Sequence, residues 1–280
     1  MDASILELVD VRKNFGKVTA LDGVSFRIDA GQCIAILGEN GAGKTSLASV
    51  LIGLYQPTSG AIKLRGKEVF FHNPRDSLAA GIGMIHQHFS LVERMNAIEN
   101  ILIGLPAEKR QSHASDKIRE LGQEFGFEID YGIEVGNMPV GMRQRVEILK
   151  ALYRDVSILI LDEPTSVLAP NEVVPFLKGI RQLVATGRTV FFITHKLEEI
   201  MQAADRVLVM RHGRIEGDVL IKETNPSELS ERMMGGRNTA TIVEFKRNKA
   251  VLGESVLSLE NVCALSPDGK TLLNDVSLTI

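Results

Sequence analysis

The residues with the clearest chemical signature form a glycine-rich stretch near the amino terminus. An apolar run at 33–37 is followed by residues 38–45, which read Gly-Glu-Asn-Gly-Ala-Gly-Lys-Thr, and then by a helical pattern. Glycines let the backbone turn tightly and bring its N–H groups close to phosphate oxygens, and the next helix points its amino terminus at the same anion. The spacing therefore predicts a phosphate-binding loop (P-loop) between a strand and a helix.

The residues expected to surround the phosphates of a nucleotide are those of this loop and the helical position after it. They are Gly38, Glu39, Asn40, Gly41, Ala42, Gly43, Lys44, Thr45 and Ser46. Lys44 is expected to neutralise charge on the β and γ phosphates, and the Thr45 hydroxyl to ligate Mg²⁺.

Two later apolar runs end in residues suited to hydrolysis. Asp162 and Glu163 follow the run 157–161, and His195 follows the run 192–194. We expect Asp162 to hold Mg²⁺ through water, Glu163 to act as general base, and His195 to donate to the γ-phosphate. Paired acids also occur in solvated turns and a lone histidine is usually structural, but the P-loop in the same chain favours the catalytic interpretation.

Two further residues have competing interpretations. Gln87 lies between His86 and His88, which could form a metal-binding pair, but no third ligand is near. We therefore favour Gln87 as a neutral amide that reaches Mg²⁺ and the attacking water. Phe15 is either an aromatic residue of a turn or the ring on which adenine stacks, and we favour stacking.

The composition bounds the class of protein. The chain has 280 residues, 44% of them hydrophobic, with a net charge of −3 and a pI of about 6.1. These values favour a large core and do not indicate a nucleic-acid-binding surface. We expect reduced cysteines, no signal peptide and no transmembrane helix, so a membrane part would belong to another chain.

The periodicity of the apolar residues alternates between strands and helices. Strands are expected at 5–11, 24–29, 33–37, 61–64, 67–71, 156–161, 189–194, 206–210 and 214–220, and helices at 112–125, 142–154, 170–186, 196–204 and 226–234. Residues 83–88 are expected to be a strand edge that leads into a loop. This order predicts an α/β fold with a mainly parallel sheet covered on both faces. The helical block at about 91–155 is expected to be an insertion into that sheet.

The end of the chain repeats its beginning. Residues 256–262 match 5–11, and residues 271–280 match 19–28, with one residue of slippage between the two blocks. Two unrelated amphipathic hairpins could agree by chance, but we favour an internal repeat. The predicted organisation is a first domain at 1–236, a linker at 237–254 and the incomplete start of a second domain at 255–280.

These residues in this order strongly resemble the ATP-binding subunit of ABC transporters. The Walker A motif falls on 38–45, Walker B on 158–162 followed by Glu163, the Q-loop on Gln87 and the switch histidine on His195. The resemblance implies a P-loop NTPase with a RecA-like core, an antiparallel β subdomain and an inserted α-helical subdomain. It also implies that ATP and Mg²⁺ are bound.

The chain departs from the family at two places. The signature, usually Leu-Ser-Gly-Gly-Gln, falls on 138–142, where Pro139 replaces the serine and Met142 the glutamine. The aspartate position of the D-loop is Ala169. In this family each ATP lies between the P-loop of one domain and the signature of the other. The departures therefore predict one competent and one degenerate composite site.

The tandem layout and the stretch 86–92 look most like the two-domain ATPase subunit of simple-sugar and nucleoside importers, with the nucleoside branch favoured. The resemblance implies transmembrane permease subunits, a second ATPase domain and, indirectly, a solute-binding protein as partners. It places the protein peripherally on the cytoplasmic face of the inner membrane. The alternatives are a sugar rather than a nucleoside importer, a soluble ABC ATPase acting on ribosomes or DNA, and a module that binds ATP without turnover.

Overall fold

The computed structural model of the chain describes residues 4–86, 89–105, 113–235, 257–265 and 271–279. The chain divides into two units, residues 1–237 and 238–280. Gln87 and the proposed linker at 237–254 lie outside the described residues.

Strands and helices alternate through the first unit. Its strands are β1 (Ser4–Phe15), β2 (Val18–Asp29), β3 (Cys33–Leu37), β4 (Ser59–Leu64), β5 (Lys67–Val69), β6 (Ile82–Ile85), β7 (Ile158–Asp162), β8 (Thr189–Ile193), β9 (Arg206–Arg211) and β10 (Arg214–Leu220). Its helices are α1 (Lys44–Leu51), α2 (Pro74–Ala79), α3 (Ala97–Leu102), α4 (Ala114–Glu124), α5 (Val140–Tyr153), α6 (Pro170–Ala185), α7 (Leu197–Ala203) and α8 (Pro226–Met234). Short 3₁₀ turns occur at Val135–Asn137 and Ile221–Glu223.

The main sheet has the strand order β10-β9-β3-β8-β7-β6. Neighbouring strands from β9 to β6 are parallel, and only the pairing of β10 with β9 is antiparallel. All five residues of β3 and of β8 are buried, which explains why these strands read as continuous apolar runs rather than alternating ones. The predicted mainly parallel sheet is confirmed.

A second sheet of order β2-β1-β4-β5 is antiparallel and covers one face of the main sheet. Its inward residues pack in one core with residues of β3 and of the helix after the P-loop. That core includes Leu6, Leu8, Val24, Ile28, Ile34, Ile36, Leu47 and Leu51. The core therefore holds in place β3 and α1, the two elements that the P-loop connects.

Helices cover the opposite face, as the alternating pattern predicts. Residues of α5, α6, α7 and α8 pack there on the other side chains of β3 and β8. Between β6 and β7 the chain forms α3, α4 and α5, which share a small core of their own containing Ile101, Ile118, Val146 and Leu149. The expected helical insertion is therefore present.

The structure differs from the expectation in several element bounds. Helix α2 was not predicted, because six residues are too few to show a helical period; its start is nevertheless encoded by Asn73, whose side chain accepts from Arg75 N at 2.9 Å. Strand β1 extends to Phe15, beyond the expected 5–11, whereas β6 ends at Ile85, within the expected strand edge. Helix α5 begins at Val140, which makes Pro139 its N-cap residue.

The second unit contains a hairpin of β11 (Ser258–Leu265) and β12 (Thr271–Thr279). Its irregularities match those of the β1–β2 hairpin. Asp10 has a positive φ of 46° and donates its N–H to Ser25 Oγ at 2.8 Å, while Asn261 has a φ of 52° and donates to Ser277 Oγ at 3.0 Å. The similarity of the two sequences therefore extends to the same bulge.

None of the helices within the described ranges combines the length and the apolar character needed to cross a bilayer.

Candidate active site

The candidate residues meet at one edge of the main sheet. Strands β3, β8 and β7 are adjacent and parallel, so their carboxyl ends lie side by side. The P-loop follows β3, Asp162 ends β7 with Glu163 next to it, and His195 follows β8 by two residues. Ligand sites of open parallel sheets form at this edge. The fold therefore brings together residues that are up to 157 positions apart.

The path of the P-loop depends on the absence of side chains at two of its glycines. Gly43 has a φ of 106°, and a Cβ there would lie 2.6 Å from Ala20 O. A Cβ on Gly38 would clash with the backbone oxygen of Met210. The loop is also held by the Gly213 N–H, which donates to Ala42 O at 2.9 Å. The turn between β9 and β10 thus supports the loop from outside.

Lys44 is buried within the loop, with 8% of its surface exposed. Its Nζ donates to Gly38 O at 2.7 Å and to Glu39 O at 3.0 Å. Burial lowers the pKa of Lys44, and the carboxylates of Glu163 and Asp162 oppose that shift. The ammonium group is therefore held at the loop and lies within the field of both acids.

Asp162 and Thr45, which the sequence predicts as oxygen ligands of a metal, are in contact. The Asp162 carboxylate accepts a hydrogen bond from the Thr45 side chain. Burial and the neighbouring Glu163 raise the pKa of Asp162, although Lys44 and His86 act in the opposite direction. A hydroxyl beside one carboxylate fits Mg²⁺, which prefers oxygen and is usually bound by one or two carboxylates together with substrate phosphates.

Glu163 and His195 are in direct contact. Glu163 Oε1 lies 2.7 Å from His195 Nδ1, and the Glu163 N–H donates to Ile193 O at 2.9 Å. A carboxylate only accepts, so this bond requires a proton on Nδ1. The second oxygen, Oε2, is buried, and no group among the described residues hydrogen-bonds to it. A buried acceptor without a partner costs free energy, which a functional role of the group can explain.

Phe15 ends β1 and is 42% exposed. Its ring meets Tyr55 edge-on with the centroids 5.0 Å apart, and Lys13 Nζ lies 4.9 Å from its centroid. Sequence reasoning missed both neighbours, since neither carries a motif. The stacking of adenine on Phe15 stays a prediction.

The signature region lacks polar caps, in keeping with its sequence. The N-cap residues of α5 and α6 are Pro139 and Ala169, and neither has a side chain that can accept a hydrogen bond from the first turn of its helix. Instead Glu172 Oε2 accepts from Ala169 N at 3.1 Å, and the other carboxylate oxygen of Glu172 fills the space where Gly141 would carry a Cβ. Sequence reasoning did not identify Glu172.

Comparison with known proteins decides the family. Residues 21–166, just over half of the chain, match the family described as ABC transporter. The chain belongs to the ABC transporter family. A nucleotide-free ATP-binding cassette from an ABC transporter has the same fold, with a TM-score of 0.73 at 23% identity over 86% of this chain and 98% of that chain. The chain thus has the fold of an ABC cassette.

Two curated members of the ABC transporter family illustrate the similarity. The glucose import ATP-binding protein TsgD13 of Haloferax volcanii is 38% identical over 98% of this chain and 55% of its own length. The guanosine import ATP-binding protein NupO of Bacillus subtilis is 38% identical over 99% of this chain and 54% of its own length. The chain spans about half the length of the curated relatives it matches.

Proposed function

We propose that this chain binds and hydrolyses ATP to energise an importer of nucleosides or simple sugars. The observation that carries the proposal is the Glu163 carboxylate, which is bound to His195 and lies in the field of Lys44 at the P-loop. A general base, a phosphate-binding cation and a metal-binding pair thus occupy one sheet edge. Two relatives are named as glucose and guanosine import ATP-binding proteins, and these names support the type of transporter.

Each residue has a role that follows from its surroundings. Phe15 stacks on adenine, while Lys44 and the loop N–H groups hold the phosphates. Thr45 and Asp162 would hold Mg²⁺, which would supply positive charge to the phosphate oxygens. Gln87, which lies outside the described residues, is proposed as a further contact to Mg²⁺ and the attacking water.

The hydrolytic step rests on the Glu163–His195 pair. The Glu163 carboxylate takes a proton from the attacking water, and the bond from His195 Nδ1 to Oε1 fixes the carboxylate in place. The water oxygen then bonds to the γ-phosphorus as the bond to the β–γ bridging oxygen breaks, and ADP and phosphate leave.

The second ATPase domain is proposed to belong to the same polypeptide as the first. The β11–β12 hairpin supports this, because it pairs Leu259 with Leu278 and Val262 with Val276, as β1 pairs Leu8 with Phe26 and Val11 with Val24. The organisation 1–236, 237–254 and 255–280 is part of the same proposal. The coverage of only half of each relative's length is consistent with it.

The two composite sites are proposed to be unequal. Pro139 offers neither a hydroxyl nor an N–H to the partner's γ-phosphate, and Ala169 offers no carboxylate. The Glu172 carboxylate beside Gly141 adds negative charge at the same helix end. This domain therefore completes its own P-loop site but contributes poorly to the other.

The permease subunits are proposed to contact a cavity between the main sheet and the helical insertion. The cavity measures about 210 Å³. Its wall includes Ile52, Leu78, Met84, Ser90, Glu147, Lys150 and Arg154. A mixed apolar and charged groove suits a short amphipathic helix of a permease. The protein would then sit peripherally on the cytoplasmic face of the membrane, and a solute-binding protein would act only through the permease.

The decisive experiment substitutes Glu163→Gln in the complete protein assembled with its permease. Gln keeps the shape and loses the base, so ATP binding should persist while steady-state hydrolysis falls by about 100-fold or more. Glu120→Gln, an exposed change on α4, is the matched control and should leave hydrolysis unchanged. Persistence of hydrolysis near the unsubstituted level in Glu163→Gln would show that the competent site has been assigned to the wrong domain.

A further inference from the structure

A buried polar cluster lies behind the Glu163–His195 pair. Thr165 and Glu199 are 1% and 5% exposed, and Thr165 Oγ1 lies 2.7 Å from each carboxylate oxygen of Glu199. Lys196 Nζ is 3.1 Å from Glu199 Oε1 and donates to Thr165 Oγ1 at 3.1 Å. We call Thr165, Lys196 and Glu199 the threonine clamp. The roles derived above do not use it.

The clamp joins the two chain segments that carry the pair. Thr165 lies two residues after Glu163, beyond the end of β7, while Lys196 directly follows His195, beyond the end of β8. Glu199 is on the first turn of α7. Apart from the Glu163–His195 bond itself, the clamp is thus a second set of side-chain bonds between these segments.

The backbone at Glu163 needs such support. Its φ of 46° is in the left-handed region, which a residue with a Cβ occupies only when its surroundings impose it. The Glu163 N–H is fixed by Ile193 O, and Ser166 N donates to Glu163 O at 3.1 Å. The Thr165 side chain fixes the same turn from the side of α7. Release of the clamp would allow the turn to relax and move the carboxylate.

The chemistry of the clamp is that of a closed hydrogen-bonded set. The Thr165 hydroxyl has one proton, which it gives to the Glu199 carboxylate, and its oxygen accepts from Lys196. Lys196 supplies the charge that a buried carboxylate requires. Removal of the Thr165 hydroxyl leaves only the contact of Lys196 with Glu199, and removal of the Glu199 charge takes away the ion pair with Lys196, so the geometry depends on all three.

We propose that Thr165 and Glu199 are positioning residues, which set the separation and orientation of Glu163 and His195 in the hydrolytic step. This inference rests on the proposed ATPase function. A positioning role can be distinguished from a general role in stability, because a positioning residue should change the rate of the chemical step more than the affinity for nucleotide.

The test compares Thr165→Val with Thr165→Ser in the complete protein assembled with its permease. Valine keeps the shape but loses the hydroxyl, and a displacement of the base by less than 1 Å should lower kcat by about tenfold or more. The Kd of a fluorescent ATP analogue with Mg²⁺ should stay within about twofold, since the clamp does not touch the P-loop. Serine restores the hydroxyl and should bring kcat back to within about threefold.

Glu199→Gln provides a second variant that does not depend on the folding of Thr165→Val. Glutamine still accepts from Thr165 but no longer balances Lys196, so kcat should fall by about threefold or more. The neighbouring Glu198 is exposed, and Glu198→Gln is the matched control that should leave kcat unchanged.

Either of two results would overturn the inference. One is a folded Thr165→Val, or a folded Glu199→Gln if the former does not fold, with kcat equal to that of the unsubstituted protein. The other is a loss of kcat matched by an equal loss of nucleotide affinity. Failure of the proposed function would look different, because the unsubstituted protein would then not hydrolyse ATP.

Discussion

The Nδ1 atom of His195 lies 2.7 Å from Oε1 of Glu163, so the histidine contacts the proposed general base directly. The sequence predicted instead that His195 would donate to the γ-phosphate. A neutral ring with its proton on Nδ1 leaves Nε2 as an acceptor, so donation to the γ-phosphate as well requires a second proton, on Nε2. The contact makes orientation of the carboxylate a testable role of His195.

The first prediction concerns that role. His195→Ala should lower kcat for ATP hydrolysis by about 100-fold, because Glu163 loses the group that holds Oε1. His195→Gln should recover about tenfold of this loss, since its amide N–H can donate to the same oxygen. Steady-state hydrolysis and the binding of a fluorescent ATP analogue measure the two quantities separately.

The control for this comparison is His72→Ala, an exposed histidine that packs edge-on against Phe70. It should leave kcat unchanged. If His195→Gln is as slow as His195→Ala, orientation of Glu163 is not the main contribution, and a proton carried by the ring is required.

The second prediction concerns the pH dependence of stability at Asp162. Burial and Glu163 raise the pKa of Asp162 above its ordinary value of 3.8. The folded state therefore binds this proton more tightly than the unfolded state, and stability falls as the pH rises above 3.8 towards the raised value. At pH 7 the charged carboxylate is thus a cost to folding, which the proposed metal-binding role of Asp162 would explain.

Asp162→Asn removes that cost. Without Mg²⁺ or nucleotide, its Tm at pH 7 should rise by a few degrees, and the difference should shrink as the pH is lowered towards 3.8. Hydrolysis should be lost at the same time. Glu120→Gln removes an exposed charge and should not shift Tm. A lower Tm for Asp162→Asn at pH 7 would contradict the argument.

The sequence predicts the residues of the site that lie at strand ends. The P-loop, Asp162, Glu163 and His195 each follow an apolar run, and parallel strands bring such ends together without further information. The contact of Thr165 with Glu199 could not be predicted in this way. It spans 34 positions, joins a turn to a helix, and depends on side-chain packing that no local pattern encodes.

The fold likewise has parts that the sequence predicts and parts that it does not. Long strands and amphipathic helices were predicted correctly in type, because burial imposes their periods. The six-residue α2 was missed, and so was the pairing of Phe15 with Tyr55, which depends on how the β1–β2 hairpin packs near the end of α1. Short helices and cross-element contacts are decided by tertiary structure rather than by period.

The third prediction separates backbone strain from close contact in the P-loop. Gly41 and Gly43 both have a positive φ, 81° and 106°, but only Gly43 would place a Cβ against a backbone atom, Ala20 O at 2.6 Å. Gly41→Ala should cost about 1–2 kcal/mol in the free energy of unfolding. Gly43→Ala should cost about 3 kcal/mol or more, because the backbone at Ala20 must also move.

Urea unfolding of the two variants measures this difference, with Gly41→Ala as the matched control. Equal costs would mean that the loop adjusts freely around Gly43 and is not held by the strand that carries Ala20. ATP affinity should follow the same order, since a displaced loop no longer aims its N–H groups at the phosphates.

The last prediction tests whether adenine stacks on Phe15. Phe15→Ala should raise the Kd for ATP by about tenfold, whereas Phe15→Trp should keep it within about threefold, since a larger ring still stacks. The exposed Phe70, which contacts His72, supplies the control Phe70→Ala. Inorganic triphosphate, which has no base, should compete for the P-loop equally well in the unsubstituted protein and in Phe15→Ala. If Phe15→Ala lowers the affinity for ATP and for triphosphate by the same factor, the substitution has disturbed the P-loop through Tyr55 instead. Phe15 is then a packing residue of the hairpin.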